Sequence, residues 1–174
     1  MKKIILLVSL FFSIIAIGQQ QSITYAVSPA TFEETTSITI TVNGSSVNEG
    51  VWGVTGNALY IWTWSFDIND ANSIDCPTNG IWNASNEANR FTYNSATDTY
   101  TKTFTPNVFY NRNGIGKIGF LVKAKDGTGD KKSQDNFVEV GAYQVTLTAP
   151  AENSSTIIAS GGSLTIQLLI LVEM

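Results

Sequence analysis

The stretch 58-ALYIWTWSFDIND-70 places Tyr60, Trp62, Trp64 and Phe66 on alternate positions. Residues two apart in a strand share a face, so this spacing predicts a strand over 58–66 with an aromatic side and an opposite side of Leu59, Ile61, Thr63 and Ser65. Leu59 and Ile61 suit a core, whereas Thr63 and Ser65 do not. Four rings are also a very large load for the interior of a small sheet protein, so some of them are expected at the surface.

The same period of two recurs along the chain between turn residues, and helical periodicity is hard to find beyond the N-terminal segment. Strands are predicted over 22–27, 37–42, 58–66, 91–93, 99–104, 117–124, 137–140 and 142–148. Between them stand Asn43-Gly44, Asn79-Gly80, Asn113-Gly114 and Asp126-Gly127, which read as turns because these residue types tolerate positive φ. Many short strands at this spacing predict an all-β, immunoglobulin-like antiparallel sandwich. The segment 67–89 is the longest without a clear strand, and its Ile81-Trp82 pair predicts an ordered loop.

Lys2 and Lys3 precede an apolar run over 4–17 that ends in small residues, which is the pattern of a secretory signal peptide over 1–18. The run is shorter than the ~20 residues of a spanning helix. A secreted or surface-displayed protein without membrane insertion is therefore expected. Cys76 is the only cysteine, so no disulfide can form within the chain and packing must supply the stability. With 14 acidic and 10 basic residues, a net charge of −4 and no long run of either sign, nucleic acid and anionic membranes are poor partners.

Residues 22–42, SITYAVSPATFEETTSITITV, align with 144–168, QVTLTAPAENSSTIIASGGSLTIQL: a strand ending at a proline, a glutamate, a Ser/Thr-rich link, then S-[IL]-T-I. The expected organisation is a sandwich over 19–147, then the opening of a second such domain over 148–174. A fragment of a longer multidomain protein is the implied origin; the competing reading is that 144–174 adds a last strand and an apolar tail.

The chain has no histidine. Ser/His/Asp and Cys/His triads and histidine metal sites are excluded, and Cys76 lacks an evident base. No phosphate-binding glycine loop is present, since Asn113-Gly114-Ile115-Gly116 precedes a strand and opens no helix. Paired carboxylates are the remaining catalytic device, from Asp67, Asp70 and Asp75 or from Asp126, Asp130 and Asp135, but aspartates in loops dense in Asn, Gly and Ser are ordinary turn residues. Asp67, Asn69 and Asp70 could supply oxygen ligands to calcium, without the glycine and terminal glutamate of an EF-hand loop. No catalytic residue and no metal ligand is assigned.

The motifs LYIWTWSF, GIWNAS, RFTYNSATDTYTKTFTPNVFY and IGKIGFLVKAKDGTGDKKSQDNFVEV together resemble the N-terminal immunoglobulin-like modules of secreted α-amylase-family glycosidases and related surface glycan-binding proteins of Bacteroidetes such as flavobacteria. They are also similar to starch-binding modules. The resemblance covers most of 22–145. It implies a non-catalytic module that holds α-glucan near a covalently linked catalytic domain. Its ligand platform would fall on Tyr60, Trp62, Trp64 and Trp82, with Lys123 and Asp126 as a polar rim, while Tyr100, Phe104 and Phe120 belong to the core. The alternative is a structural spacer that binds no sugar. Exposure of the tryptophans separates the two.

Overall fold

The computed structural model describes residues 21–141 and the backbone of two further strands, Gln144–Ala149 and Gln167–Leu171. The expected signal peptide and most of the second-module segment lie outside the described residues. In chain order the strands are β1 (Tyr25–Ser28), β2 (Ile38–Asn43), β3 (Leu59–Asp67), β4 (Ile74–Asp75), β5 (Gly80–Ile81), β6 (Ala84–Ser85), β7 (Thr92–Asn94), β8 (Thr99–Phe104), β9 (Ile115–Ala124), β10 (Asn136–Glu139), β11 (Gln144–Ala149) and β12 (Gln167–Leu171).

Two antiparallel four-stranded sheets form, with strand orders β1-β2-β8-β7 and β10-β9-β3-β4. That is the strand arrangement of an immunoglobulin-like sandwich, with β4 extending the second sheet. Strands β5 and β6 make a separate hairpin, and β11 pairs with β12. The long segment after β3 is ordered, as its Ile81-Trp82 pair predicts.

Alternation builds the core. Ile38, Ile40 and Val42 of β2 and Tyr100 and Phe104 of β8 face Leu59 and Ile61 of β3 and Ile118, Phe120 and Val122 of β9. Full burial of each such side chain contributes about 1.5–3 kcal/mol. Tyr100, Phe104 and Phe120 are buried as expected. Trp52, at the end of the short helix Glu49–Trp52, is also in the core at 1% exposure, and the sequence reading passed over it.

Thr63 and Ser65 correct an expectation. Both are fully buried on the core side of β3. Their hydroxyls are satisfied there: Thr63 Oγ1 donates to the Gly119 carbonyl and meets the Tyr110 hydroxyl, while Ser65 Oγ accepts from Arg112 Nη1. Buried hydroxyls are tolerated when paired.

Two of the four turn signals have a different cause from the one expected. Gly80 and Gly114 do adopt positive φ, of 79° and 71°. Gly44 and Gly127 do not; at each, a side chain occupies the place of a β-carbon, Asp98 at Gly44 and Trp82 at Gly127.

Candidate functional site

Pairing across the second sheet sets the residues of its outer face in rows. Phe137 of β10 stands opposite Gly119 of β9, which stands opposite Trp64 of β3. One row along, Glu139, Lys117 and Phe66 align; on the other side, Trp62 lies opposite Leu121 and Tyr60 opposite Lys123. The inward residues of β3 belong to the core and the aromatic ones do not. Trp62, Trp64 and Phe66 are partly exposed, and Phe137 is 50% exposed.

Gly119 explains where Trp64 sits. A β-carbon at 119 would stand 2.2 Å from Cε2 and Nε1 of the indole, so the ring occupies space that only glycine leaves open. Phe137 packs against it edge to face at 6.1 Å, and Phe66 joins from the next row at 6.2 Å. Lys117 lies 5.8 Å from the Phe66 ring centre and pairs with Asp70 and Glu139. Substituting Gly119→Ala should therefore expel the Trp64 ring. The expected result is a red-shifted tryptophan emission and a loss of about 1–3 kcal/mol in urea unfolding, the usual cost of overpacking.

Trp82 comes from the turn of the β5–β6 hairpin and is clamped to the turn after β9. Its Nε1–H donates to the Gly127 carbonyl at 2.8 Å, and the Gly127 N–H donates back to the Trp82 carbonyl at 3.0 Å. The indole also fills the space beside Gly127. Trp62 meets Trp82 edge to face, with centres 5.1 Å apart. Outward from the core the second sheet thus carries two aromatic groups on one face, Trp82 with Trp62 and Trp64 with Phe137 and Phe66.

Lys123 underpins the first of these groups from within. It is fully buried, and its Nζ donates to the carbonyls of Trp82 at 2.9 Å and of Ala124 and Lys125 at 3.0 Å. The ammonium lies 5.0 Å from the Trp82 ring centre and 5.9 Å from that of Trp62. Burial pushes its pKa down to about 8, against a favourable field from Asp126. With its donors spent on the backbone, Lys123 holds the Trp82 loop onto the strand end and does not form a rim.

The remaining expected site residues divide in the same way. Tyr60 is 1% exposed, with its hydroxyl donating to Glu87 and its own pKa raised chiefly by burial, so it adds nothing to the accessible surface. Trp62 and Trp82 are in contact, Trp64 packs instead on Phe137, and all three tryptophans are partly exposed. Asp126 is exposed beside Trp82's turn, its carboxyl held below the ordinary value first by the Thr128 N–H. Phe66 was recognised only as part of the stripe, and Phe137 was missed. The signal for Phe137 was available, since F-V-E-V alternates, but its cross-strand register was not.

The aspartate clusters serve local structure. Asp67 accepts the N–H groups of Asn69 and Ala71 and the Asn72 amide, and Asp70 pairs with Lys117. Asp130 and Asp135 approach Lys132 at 3.9 and 3.8 Å. Among the described residues no group of three or more His, Cys, Asp or Glu side chains is placed to hold a metal ion. Cys76 is buried, its thiol pushed up by burial, and its Sγ donates to the Phe109 carbonyl.

Fold and surface together define an all-β sandwich with an aromatic outer sheet face. No protein-family model and no curated protein matches the chain.

Proposed function

We propose that this chain is a non-catalytic carbohydrate-binding module, and that the outer face of the second sheet is where a glycan lies. The observation that supports this reading is the partly exposed layer of Trp62, Trp64, Phe66 and Trp82 with the half-exposed Phe137 beside it. The core does not need these rings, because Leu59 and Ile61 already fill the inward face of β3. A contiguous exposed apolar surface marks an interaction site. Sugar rings suit it, since their C–H faces pack on indole and phenyl while hydroxyls reach polar groups such as Asp126 and Asp75 at its margins. An α-glucan such as starch or glycogen is the polymer proposed first, with the module secreted and serving a linked glycosidase.

A second reading has its own support. Trp62 packs edge to face on Trp82, and Trp64 on Phe137, so the rings partly satisfy one another. On that reading the layer is a lid over the sheet and the domain is a spacer.

Native electrophoresis of the full chain in gels containing soluble starch, glycogen or xylan separates the two. Glycan binding predicts retardation in starch or glycogen, weakened about tenfold or more by Trp64→Ala or Trp82→Ala with folding retained. Unchanged mobility of the wild-type chain in every gel would leave the spacer reading.

A further inference from the structure

Beside the Trp82 turn, at the end of the second sheet, lies a depression of about 340 Å³. Its walls include Gly53 and Ala58 as accessible non-polar surface, with the buried Trp52 and Ala124 behind them, and Thr55, Lys125, Asp126 and Lys131 as polar groups. The volume is at the small end of ligand sites and suits one ring-sized molecule. Asp126 joins the depression to the aromatic face, because its neighbour Gly127 is the residue against which Trp82 rests.

The charge pattern at this end is unusual for an acidic chain with a net charge of −4. Arg90, Tyr60, Lys123 and Lys132 align across the sheet end, and Lys125 and Lys131 follow on the continuing chain. Of the basic residues between 21 and 141, only Lys102, Arg112 and Lys117 lie elsewhere. Most of the gathered cations are already engaged. Glu87 pairs with Lys125 at 2.6 Å and with Arg90 at 3.7 Å, Lys132 faces Asp130 and Asp135, and Lys123 is spent on carbonyls. Lys131 makes no ion pair among the described residues and shares the depression with Lys125, and its charge acts on the Asp126 carboxyl there.

We propose that this depression binds a single sugar residue bearing an anionic group, a carboxylate or a phosphate ester. The anion sits by Lys131 and Lys125, the ring lies against Gly53 and Ala58, and Asp126 and Thr55 take its hydroxyls. A glycan running off the Trp82 edge of the aromatic face would deliver such a residue. The inference rests on the glycan reading above and adds a charge requirement to it.

Amide chemical-shift titration of the full chain with glucuronate, glucose 6-phosphate, glucose and inorganic phosphate tests it. The expected result is that one or both anionic sugars shift Thr55, Lys125 and Lys131 and bind about fivefold tighter than glucose, as one exposed charge contact allows. Lys131→Gln or about tenfold more salt should remove that advantage, and Lys102→Gln should not. Equal binding of glucose, or no effect of Lys131→Gln, overturns the inference. Inorganic phosphate binding as tightly as both anionic sugars overturns the sugar part and leaves an anion site. If starch still retards the chain while no anionic sugar reaches the depression, the inference falls and the glycan reading stands. If neither occurs, both fall.

Discussion

Replacing Asn79 by Leu is expected to destabilise the protein by about 3 kcal/mol or more in urea unfolding, a large effect for a residue in a loop. The reason lies at the edge of β3. Strand β4 covers only Trp64 and Ser65 on that side, so the backbone groups of residues 59–63 need other partners. Asn79 supplies them for Thr63 together with Cys76: Asn79 Oδ1 accepts the Thr63 N–H at 3.1 Å, and Asn79 Nδ2 and the Cys76 N–H each donate to the Thr63 carbonyl at 2.9 Å. One side-chain amide thereby imitates a strand residue. Asn89 continues the imitation, donating to the Ile61 carbonyl at 3.2 Å and to Asn79 Oδ1 at 3.1 Å, while Thr78 donates to Asn89 Oδ1 at 2.6 Å. The Phe91 N–H closes the row on the Leu59 carbonyl.

Asn79 is 2% exposed and Asn89 is fully buried, so neither amide can be replaced by water without rearrangement. Leucine of similar size would leave the buried Thr63 N–H and one N–H of the Asn89 amide without partners, and a buried donor left unmade costs about 1–3 kcal/mol. Asn89→Leu should behave similarly, and the double variant should lose less than the sum, because the two amides share a hydrogen bond. Asn94→Ala, which removes an exposed contact to the Ala96 N–H, should cost less than about 1 kcal/mol. Equal small losses in all three single variants would show that the edge is satisfied without the amides.

Lys123→Met is expected to cost about 2–4 kcal/mol near neutral pH, since the carbonyls of Trp82, Ala124 and Lys125 each lose the hydrogen bond from Lys123 Nζ, the first keeping only the Gly127 N–H and the last only the Ser85 N–H. The pH dependence carries a sharper test. Burial lowers the folded-state pKa of this lysine from 10.5 to about 8, so between those values the unfolded chain binds the proton that the folded protein has released. Stability must then rise with pH across that window. The methionine variant has no such proton. The stability gap between wild type and Lys123→Met should therefore widen from pH 7 to pH 10, by on the order of 1–3 kcal/mol. A narrowing gap would mean that the three carbonyls hold the charged ammonium more strongly than burial opposes it.

The sandwich was readable because its cause is local. Period-two alternation in β3, β8 and β9 puts apolar side chains on one face whatever the partners are, and Ile38, Ile40, Leu59 and Ile61 were bound to find one another. The turn signals at Asn79-Gly80 and Asn113-Gly114 were equally local, because positive φ is a property of the residue itself. The absence of histidine removed whole classes of chemistry before any fold was considered.

Tertiary structure decided which face of 58-ALYIWTWSFDIND-70 turns inward. Both faces carried residues able to fill a core, and Thr63 and Ser65 became buried only because Tyr110, Arg112 and the Gly119 carbonyl wait for their hydroxyls across the fold. Asn79 looked like a turn residue and Asn89 like a loop residue, yet both act as strand edge, a role that exists only where β4 ends short. Gly119 and Gly127 carry no side chain that could announce their purpose, which is to leave room for Trp64 and Trp82. Lys123 has the composition of a surface group, and only the three converging carbonyls make its burial tolerable. Alternation along a strand is written in neighbouring residues, whereas a partner for a buried polar atom, or a space for an indole, is made by residues distant in the chain.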